Sequence, residues 1–595
     1  MPTNLLFVDT EANIREQNGL QYQTFRLGYA IHVRNGYSTG YPLHSVEDFW
    51  NLLDRFRYPK TRLFVFAHNM AYDYAILKLD TYISSRNLEI NLRAIDSVFV
   101  ITAGHHYQRK DRQTFVTEYE FLSSTNFYKQ SLKELGQMFG LSKMDSPDFT
   151  RVSDVRLMEY CQRDTEVLTK IIQTHIAFIK ENDLGSFKPT IASQAFTAFR
   201  HRFMSHNLLV HDFQEILDMA GRSYRGGRCE TFRMGRFKNI YKLDINSMYP
   251  FVMKSCKYPI HPFSSKPIIG CDVSDLEESV KENFVMADCD IILNEPLIAT
   301  KREKLFFPVG NVRQIILQPE IEMILKNPDI GKIVKVHAMV SYQSADIFSE
   351  YVDFFYGLRC NTDNEAIKGM CKLFLNSLYG KMGQRNSTKP ELVTDDYKLW
   401  MLKEIMNEEG TFEIHDGLSS KYVKLGEQIY RVTGHDNGFA MESIPEIASS
   451  VTAYARCLLF KLIMIAGWEN VLYCDTDSLF VTETGYRLLD DSSMVHASEL
   501  GKLKLEEIGD VELFGAKDYI FNGKVKLKGI KHNAEKLPDG TYRQYQFQTK
   551  NIRYQNATPD GIVILNPVIK TISRRYDKGI VSGQTVKPLV FSDFW

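Results

Sequence analysis

Two groups of acidic residues lie at the ends of predicted strands. The first begins at NLLFVDTEA, an apolar run that predicts a buried strand and carries Asp9 and Glu11. Side chains two residues apart in a strand point to the same face, so the two carboxylates share one side of it. Carboxylates on one face repel each other unless a cation lies between them. The spacing therefore indicates a divalent metal site.

Two later segments can complete this site. RLFVFAHNMAYD predicts a second strand followed by Asp73, and MEYCQRDTEVLTKII predicts a helix. Tyr160 and Asp164 are four residues apart and hence neighbours on one face of that helix. Mg²⁺ prefers carboxylate oxygens, and two such ions activate a water and stabilise the leaving oxygen of a phosphodiester. We predict that Tyr160 orients the water and that the two ions are held by Asp9, Glu11, Asp73 and Asp164.

A second group of acidic residues lies further along the chain. Asp244 follows the apolar run NIYKL, whereas Asp475 and Asp477 form an acidic turn in NVLYCDTDSLFV. Between them, EAIKGMCKLFLNSLYGKMG predicts an amphipathic helix with a polar face formed by Lys368, Lys372, Asn376 and Tyr379. Phosphoryl transfer from a nucleoside triphosphate requires charge neutralisation and in-line positioning. Acids from two strands can hold two Mg²⁺ ions, and lysines supply point charges for the phosphates.

These segments carry two resemblances to known families. The first group is similar to the tyrosine-bearing DEDD family of 3′→5′ exonucleases. The second resembles motifs A (DxxSLYP), B (KxxxNSxYG) and C (YxDTDS) of family B DNA polymerases, in the same order. The resemblance implies an α/β and α+β multidomain fold, in which an RNase H-like exonuclease domain is followed by a right-hand polymerase domain of palm, fingers and thumb. It also implies two Mg²⁺ ions per active site, for which Mn²⁺ can substitute.

The family B resemblance implies roles for individual residues. Asp244 and Asp477 are the principal metal ligands, and Asp475 supports them. Tyr249 stacks under the sugar and rejects ribonucleotides, because the 2′-hydroxyl distinguishes RNA from DNA building blocks. Met248 stands where leucine is usual, which is a volume-conserving change. The implied nucleotide-binding residues are Tyr249, Lys368, Lys372, Asn376, Tyr379 and, from a shifted register, Arg359.

Further motifs resemble the protein-primed branch of the family, found in phages and linear plasmids. YRGG at 224–227 resembles its YxGG motif, and Lys143 resembles its catalytic exonuclease lysine. The position of Asp9 leaves no room for the N-terminal domain expected of most cellular relatives. The branch implies a separate terminal protein as primer. The implied DNA contacts are His68, Asn69, Tyr72, Ser131, Leu132, Tyr224, Gly226, Gly227, Ser247, Gly380, Thr452, Arg456, Lys517 and Tyr519.

The order of the motifs divides the chain into domains and two insertions. In the protein-primed branch, such insertions bind the terminal protein, clamp the DNA and open the downstream duplex. The mixed charge of the second insertion is equally compatible with a solvated segment without that function. The predicted regions are 1–188 (exonuclease), 189–256 and 446–530 (palm), 257–347 (first insertion), 348–384 (fingers), 385–445 (second insertion) and 531–595 (thumb).

Composition sets wider bounds. With 44% hydrophobic and 24% charged residues, no apolar run of membrane-spanning length and no signal peptide, the chain is predicted to be cytoplasmic. Nine irregularly spaced cysteines without a CxxC indicate free core thiols. The net charge is −1, but residues 501–595 contain 16 Lys and Arg against 10 Asp and Glu. That excess fits either a DNA backbone or an ordinary solvated surface.

The predicted partners are primer–template DNA, dNTPs, single-stranded DNA in the exonuclease site and a terminal protein, and the protein is predicted to be a monomer. Three alternatives remain. A family B polymerase that extends an ordinary primer or self-initiates has the same catalytic motifs. A nuclease with an idle polymerase half, or a non-catalytic DNA-binding scaffold, does not need both complete sets of acids.

Overall fold

The computed structural model describes residues 1–17, 20–94, 98–109, 112–149, 151–386, 391–393, 395–408, 413–415, 420–425, 428–433, 438–531, 533–547 and 563–594. Its largest sheets have ten, seven and six strands. The ten-stranded and seven-stranded sheets carry the two groups of acids, so the description below follows the chain from one to the other.

The ten-stranded sheet organises the N-terminal region. Its strands there are β1 (Asn4–Gln17), β2 (Leu20–Arg34), β3 (Tyr37–Leu43), β4 (Leu63–Ala67), β5 (Glu89–Ala94), β6 (Val100–Arg109) and β7 (Arg112–Ser123). The helices are α1 (Val46–Arg55), α2 (Met70–Ile76), α3 (Leu79–Ser85), α4 (Leu132–Met138) and α5 (Asp154–Glu181). β1 is antiparallel to β2 and parallel to β4. α5 packs on β1 and β2 through a buried apolar face, as its periodicity predicts.

The next region, up to residue 347, leads into the palm and the first insertion. Its helices are α6 (Ile191–Ala198), α7 (Gln214–Ser223), α8 (Met248–Ser255), α9 (Val273–Glu282) and α10 (Gln318–Lys326). Its strands are β8 (Cys229–Thr231), β9 (Gly235–Ile245), β10 (Tyr258–Pro262), β11 (Ile268–Ile269), β12 (Phe284–Leu293), β13 (Thr300–Lys301), β14 (Leu305–Phe306), β15 (Val309–Leu317) and β16 (Gly331–Ala345). β10, β11, β12, β15 and β16 supply five strands of the six-stranded sheet, and the sixth comes from the C-terminal segment.

The fingers region contains two helices, α11 (Ser349–Cys360) and α12 (Glu365–Met382). The sequence pattern is helical over about 348–384, and the structure divides this range into the two helices. The chain breaks before α12 because the Asn364 side chain accepts hydrogen bonds from the N–H groups of Ala366 and Ile367 and caps a new helix. α12 buries Met370, Phe374 and Leu378, which form the predicted apolar face.

The second insertion is described only in part. Its described elements are β17 (Glu391–Leu392), α13 (Asp396–Glu408), β18 (Glu413–His415), β19 (Ser420–Leu425) and β20 (Gln428–Thr433). The four strands form one small sheet in the order β17-β20-β19-β18. The segment between the fingers and the second half of the palm thus has a sheet and a helix of its own.

The second half of the palm completes the seven-stranded sheet. Its elements are α14 (Pro445–Ala466), β21 (Val471–Asp475), β22 (Ser478–Val481), α15 (Glu483–Asp491), β23 (Leu503–Gly515), β24 (Asp518–Phe521) and β25 (Lys524–Lys526). The strand order is β25-β24-β23-β9-β22-β21-β8. β9 therefore lies between strands that follow it by more than 200 residues, and this brings the two halves of the second acidic group together.

The segment 531–595, predicted to be the thumb, is distributed over the molecule. Its strands are β26 (Glu535–Lys536), β27 (Tyr542–Phe547), β28 (Val563–Lys570), β29 (Gly579–Ser582), β30 (Thr585–Pro588) and β31 (Val590–Phe591). β28 pairs with the start of β2 and so extends the ten-stranded sheet, whereas β31 pairs with β15. The reason is an open edge, because β3 covers β2 only from Gly28 onwards.

One helix deserves a note on its apolar character. By length and composition, α14 is the one described helix that could cross a membrane, and 78% of its apolar window is buried within the fold.

All nine cysteines are free, as predicted; five of them are buried, but Cys360 is exposed and so is not a core thiol.

Candidate functional site

Three carboxylates of the first acidic group meet where α5 crosses β1. One ligand oxygen from each of Asp9, Glu11 and Asp164 lies within 4.8 Å of the others. Strand alternation places the first two on one face, and the helix supplies the third. Asp73, at the start of α2, lies beside this cluster, where its Oδ1 accepts a hydrogen bond of 2.7 Å from the Thr10 hydroxyl. The structure therefore brings the four predicted acids together, with Asp73 slightly apart.

The electrostatics of this cluster fit a divalent cation. Burial, followed by the charges of Asp164 and Asp73, raises the pKa of Asp9 well above its usual range. Burial also raises the pKa of Glu11 to about 7, that of Asp73 to about 7 and that of Asp164 to about 6. Asp164 Oδ1 is buried without a hydrogen-bond partner, as expected of an oxygen that binds an ion. The residues present therefore fit Mg²⁺, whose charge removes the repulsion.

Lys143 and Tyr160 lie next to the cluster. Lys143 Nζ is 2.5 Å from Asp164 Oδ2 and 4.7 Å from the centre of the Tyr160 ring. Burial lowers the pKa of Lys143, but the charge and hydrogen bond of Asp164, together with Tyr160, outweigh burial and raise the pKa. The Tyr160 hydroxyl is 3.4 Å from Ser146 Oγ, and the ring is buried. Lys143 thus neutralises part of the negative charge on the side of α5.

The predicted contacts with single-stranded DNA surround this centre unevenly. His68 Nδ1 lies 2.8 Å from Ser124 Oγ, and burial lowers the pKa of His68 to about 4, so the ring is neutral near pH 7. Asn69 is exposed, and the Tyr72 hydroxyl donates to Gln23 Oε1 at 2.7 Å. His68 and Tyr72 are thus hydrogen-bonded within the protein, and the contacts of these residues with single-stranded DNA stay predictions.

The Ser131-Leu132 pair has a structural role in the fold. Ser131 caps α4: its Oγ accepts from the Glu134 N–H, and its own N–H donates to the Glu134 carboxylate. Leu132 is buried in the core below. Ser131 is exposed at the helix start, and the predicted DNA contacts of this pair stay predictions.

The second acidic group meets in the palm sheet. Asp244 in β9 is paired with Ser478 in β22, and Ile245 N–H donates to the Asp477 carbonyl at 2.7 Å. This register sets the side chains of Asp244 and Asp477 beside each other. Burial, followed by the charge of Asp477, raises the pKa of Asp244 to about 7. Burial is also the main cause of the raised pKa of Asp477, so both carboxylates fit a divalent cation.

Asp475 points elsewhere. Lys517 Nζ lies 2.9 Å from both of its carboxylate oxygens, and Lys526 Nζ lies 3.9 Å from one of them. The charge of Asp475 also raises the pKa of Asp477, and its predicted support of the two metal ligands stays a prediction. Between the two aspartates, Thr476 adopts a left-handed φ of 65°, and this turn directs Asp475 towards the β23–β24 turn.

Sequence reasoning missed a further acid, Glu506. It lies in β23, next to β9, and its charge raises the pKa of both Asp244 and Asp477. Lys242 partly balances it, at 2.8 Å. The local sequence LKLEEIG shows only an acidic strand, and the sheet register is needed to place the carboxylate beside the site.

The polar face of α12 lies towards these carboxylates. The charge of Lys372 lowers the pKa of Asp244 and Asp477, against burial, which shows that it faces them. Asn376 and Gly380 are exposed on the same helix, whereas Lys368 pairs with Glu365 at 2.9 Å. Arg359, predicted from a shifted register, donates to Ser247 Oγ of motif A at 3.1 Å, and Tyr249 stacks on Tyr379.

The YRGG segment supports the motif C turn. Thr476 N–H donates to the Arg228 carbonyl at 2.7 Å, and a Cβ on Gly227 would lie 2.8 Å from Thr476 Cγ2. Gly227 is thus required by a contact within the protein. Around Gly226, in contrast, the space is open. Tyr224 packs against Gly383 at the end of α12.

A buried arginine fixes the same segment. Arg456 donates to the carbonyl of Arg225 at 2.7 Å and pairs with Glu320 at 2.9 Å. Both charged side chains are 2% exposed. Thr452 and Tyr519 are also buried, with 2% and 9% exposure. These three side chains are thus packed within the loop and the sheet, and their predicted contact with DNA stays a prediction.

Comparison with known proteins agrees with this geometry. The family described as DNA polymerase type B, organellar and viral, matches residues 105–463, which is more than half of the chain. A "Probable DNA polymerase" of Neurospora intermedia is 24% identical over 69% of this chain and 43% of its own length. The "DNA-directed DNA polymerase" of Enterobacteria phage PRD1 is 26% identical over 64% of this chain and 63% of its own length. The chain thus spans less than two thirds of these relatives.

The fold has a solved counterpart. Phi29 DNA polymerase in complex with primer-template DNA and incoming nucleotide superposes with a TM-score of 0.69 over 96% of this chain and all of the other, at 14% identity. The orthorhombic crystal form of the same enzyme gives 0.68 at 15% identity. The predicted fold class, an exonuclease domain followed by a right-hand polymerase domain, is confirmed. On the family match, this chain belongs to the organellar and viral type B DNA polymerases.

Proposed function

We propose that the chain is a DNA-directed DNA polymerase that also degrades DNA from the 3′ end. The observation that carries the proposal is the pairing of Asp244 and Asp477 in adjacent strands beside Lys372 of the fingers helix. Family membership supports the same activity. Two buried acids and a facing cation are what transfer of a nucleotidyl group requires, namely charge neutralisation and in-line positioning.

In this proposal, the chain's own residues prepare the polymerase reaction. Asp244 and Asp477 would hold divalent ions, which, when bound, would lower the pKa of the primer 3′-hydroxyl and neutralise the triphosphate. Lys372 adds a positive charge near the phosphates. Arg359, which lies in α11, is hydrogen-bonded to Ser247. Tyr249 forms the floor under the sugar. Lys517, paired with Asp475, holds the primer end.

The exonuclease reaction is proposed for the separate N-terminal centre. Asp9, Glu11 and Asp164 provide oxygens within 4.8 Å of one another, with Asp73 alongside. Lys143 holds Asp164 in place, while Tyr160 orients the attacking water. The nucleotide that is cleaved is the terminal one of a DNA strand. The neighbouring nucleotides of the same DNA strand contact the polar side chains near His68 and Asn69. The two centres use different carboxylates, so each can be removed without the other.

Protein priming is the finer part of the proposal. It is supported by the YRGG segment against motif C and by two insertions that each form strands of a sheet. The alternative is extension of an ordinary primer, or initiation without one. A purified terminal protein that accepts a covalent dNMP from this enzyme supports protein priming. Initiation on a free 3′-hydroxyl alone, with no labelled protein formed, favours the alternative.

Primer extension with Mg²⁺ on a gapped duplex tests the activities together. Expected are extension to the end of the gap, continued synthesis through the downstream duplex, and shortening of the primer when dNTPs are omitted. No dNTP incorporation with Mg²⁺ or Mn²⁺ would refute the polymerase assignment.

Opening each downstream step costs about 1.4 kcal/mol of stacking. Replacing 387–443 with a short glycine linker shows whether the second insertion opens the duplex, because synthesis should then stop at the downstream strand.

A further inference from the structure

A short segment near the C-terminus contacts the palm sheet at two places, β8 and the turn before β24, which both lie near motif C in space. We name residues 574–578 the C-terminal strap. Its alternate side chains Arg574, Tyr576 and Lys578 reach the palm, since side chains two residues apart in an extended segment point to the same side. Asp577, on the opposite side, pairs with Lys304 of the first insertion. The strap is therefore fixed from both sides.

Tyr576 and Lys578 bind the edge strand β8. The Tyr576 hydroxyl oxygen accepts from Thr231 N–H at 3.0 Å, and Lys578 Nζ donates to the Cys229 carbonyl at 2.8 Å. β8 is the last strand of the palm sheet, and on its other side Cys229 is paired with Asp475. An edge strand leaves N–H and C=O groups unpaired, so two side chains of the strap complete its hydrogen bonding.

Arg574 holds the turn before β24. Its Nε lies 3.4 Å from Asp518 Oδ2, and its guanidinium carbon lies 3.5 Å from the centre of the Phe514 ring. Asp518 is 5% exposed, and a buried carboxylate without a cationic partner is costly. Asp518 directly follows Lys517, whose left-handed φ of 62° persists only if the surroundings impose it. Arg574 is the cation that secures this turn.

We propose that the C-terminal strap positions the Lys517–Asp475 pair, and through it the primer 3′ end, for nucleotide addition. The inference rests on the proposed function. Lys517 Nζ is 2.9 Å from both oxygens of Asp475, and its N–H donates to the Tyr473 hydroxyl at 3.2 Å. The strap contacts β8, beside Asp475, and Asp518, beside Lys517. Loss of the strap's contact with β8 therefore displaces Asp475 relative to Lys517, and loss of its contact with Asp518 displaces Lys517 relative to Asp475.

Single-nucleotide addition by the full chain tests the proposal. Arg574→Met keeps the aliphatic length and removes the charge. Its rate of addition per active site, from burst kinetics, is expected to fall about tenfold, with the KM for dNTP nearly unchanged. Arg574→Lys should restore most of the rate because it keeps a cation beside Asp518. Lys587→Met removes an exposed charge from the neighbouring β30 and should leave the rate unchanged.

A purely stabilising strap gives a different result. Arg574→Met would then lower the burst amplitude, which counts folded enzyme, and leave the rate per active site unchanged. That outcome overturns the proposal, as does a failure of Arg574→Lys to restore the rate.

A second measurement needs no catalysis. Hydrogen–deuterium exchange of the peptides 471–477 and 514–519 should be faster in Arg574→Met and Tyr576→Phe, whereas the peptide 4–11 in the ten-stranded sheet should not change. Unchanged exchange in an enzyme that adds nucleotides would refute the strap alone. A wild-type chain that adds no nucleotide would refute the proposed function on which the inference rests.

Discussion

The rings of Tyr249 and Tyr379 are stacked, with centroids 4.6 Å apart and planes inclined by 28°. Tyr249 is the tyrosine of motif A and lies in α8, and Tyr379 lies in α12 of the fingers. The stack therefore joins palm and fingers beside Asp244, where the sugar of an incoming nucleotide is proposed to bind. Burial raises the pKa of both hydroxyls, so both stay protonated at the pH of any assay.

This stack predicts sugar selectivity. Tyr249→Val removes the flat surface under C2′ and leaves volume for a hydroxyl. The ratio of dNTP to rNTP incorporation efficiency should fall by about a hundredfold, because steric exclusion of a hydroxyl contributes a few kcal/mol. Tyr379→Phe keeps the ring and serves as the control, with a ratio close to that of the parent. An unchanged ratio in Tyr249→Val would show that another side chain excludes ribonucleotides.

The palm acids are predicted to differ in importance. Asp244→Asn and Asp477→Asn should each lower nucleotide addition at least about a thousandfold, since a lost metal ligand removes several kcal/mol of charge stabilisation. Degradation of single-stranded DNA should stay within twofold of the parent. Asp475→Asn should have a smaller effect on the rate, because its carboxylate is bound to Lys517. Primer extension and exonuclease assays on the same preparations check this, and equal losses for all three would show that Asp475 is a third ligand.

The exonuclease acids should be separable in the opposite direction. Asp9→Ala combined with Glu11→Ala removes two of the three oxygen donors that lie within 4.8 Å of one another. Degradation of a labelled primer in the absence of dNTPs should stop, and extension should continue. Degradation at the rate of the parent would mean that the metal ions bind elsewhere.

The stability of the metal-free enzyme should depend on pH through the exonuclease centre. The folded-state pKa of Glu11 is raised from its usual 4.5 to about 7, and that of Asp73 is also raised to about 7. A group with a raised folded pKa contributes stability that is present below its unfolded pKa and lost as the pH rises through the folded pKa. In EDTA, the melting temperature should therefore fall between about pH 4.5 and pH 7.

Glu11→Gln provides the control for this dependence. It should raise the melting temperature in EDTA at pH 8 and have little effect at pH 4.5, where the parent carboxyl is protonated. Mg²⁺ should stabilise the parent more than the variant at pH 8. Equal melting temperatures of parent and variant in EDTA at both pH values would contradict the raised pKa.

The buried ion pair of Arg456 and Glu320 is predicted to be structural. Arg456→Met leaves the Glu320 carboxylate, 2% exposed, without its cation. Breaking such a pair from one side costs about 3–5 kcal/mol. The double variant Arg456→Met with Glu320→Met should recover part of the lost stability, because no charge is left buried. Thermal denaturation measures this, and a DNA affinity that drops in Arg456→Met without loss of stability would support a direct contact.

The acidic residues of both sites, and the faces on which they lie, can be predicted from the sequence alone. The pattern DTE, the spacing of Tyr160 and Asp164, and the motifs around Asp244 and Asp477 are local, so strand alternation and helix periodicity suffice to orient them. The amphipathic face of α12 and the placement of the first acids on β1 follow from the same rules. What these rules predict is the face on which a side chain lies.

Which faces of the strands and helices come into contact depends on the tertiary structure. That Asp475 is bound to Lys517, that Glu506 lies beside Asp244, and that Arg456 is buried depend on sheet register and on helix packing across long sequence distances. The pairing of β28 with β2 and of β31 with β15 follows from open strand edges, which no sequence motif predicts. Hydrogen bonding at an edge is indifferent to side-chain identity, so the backbone partners of these strands cannot be derived from the local sequence.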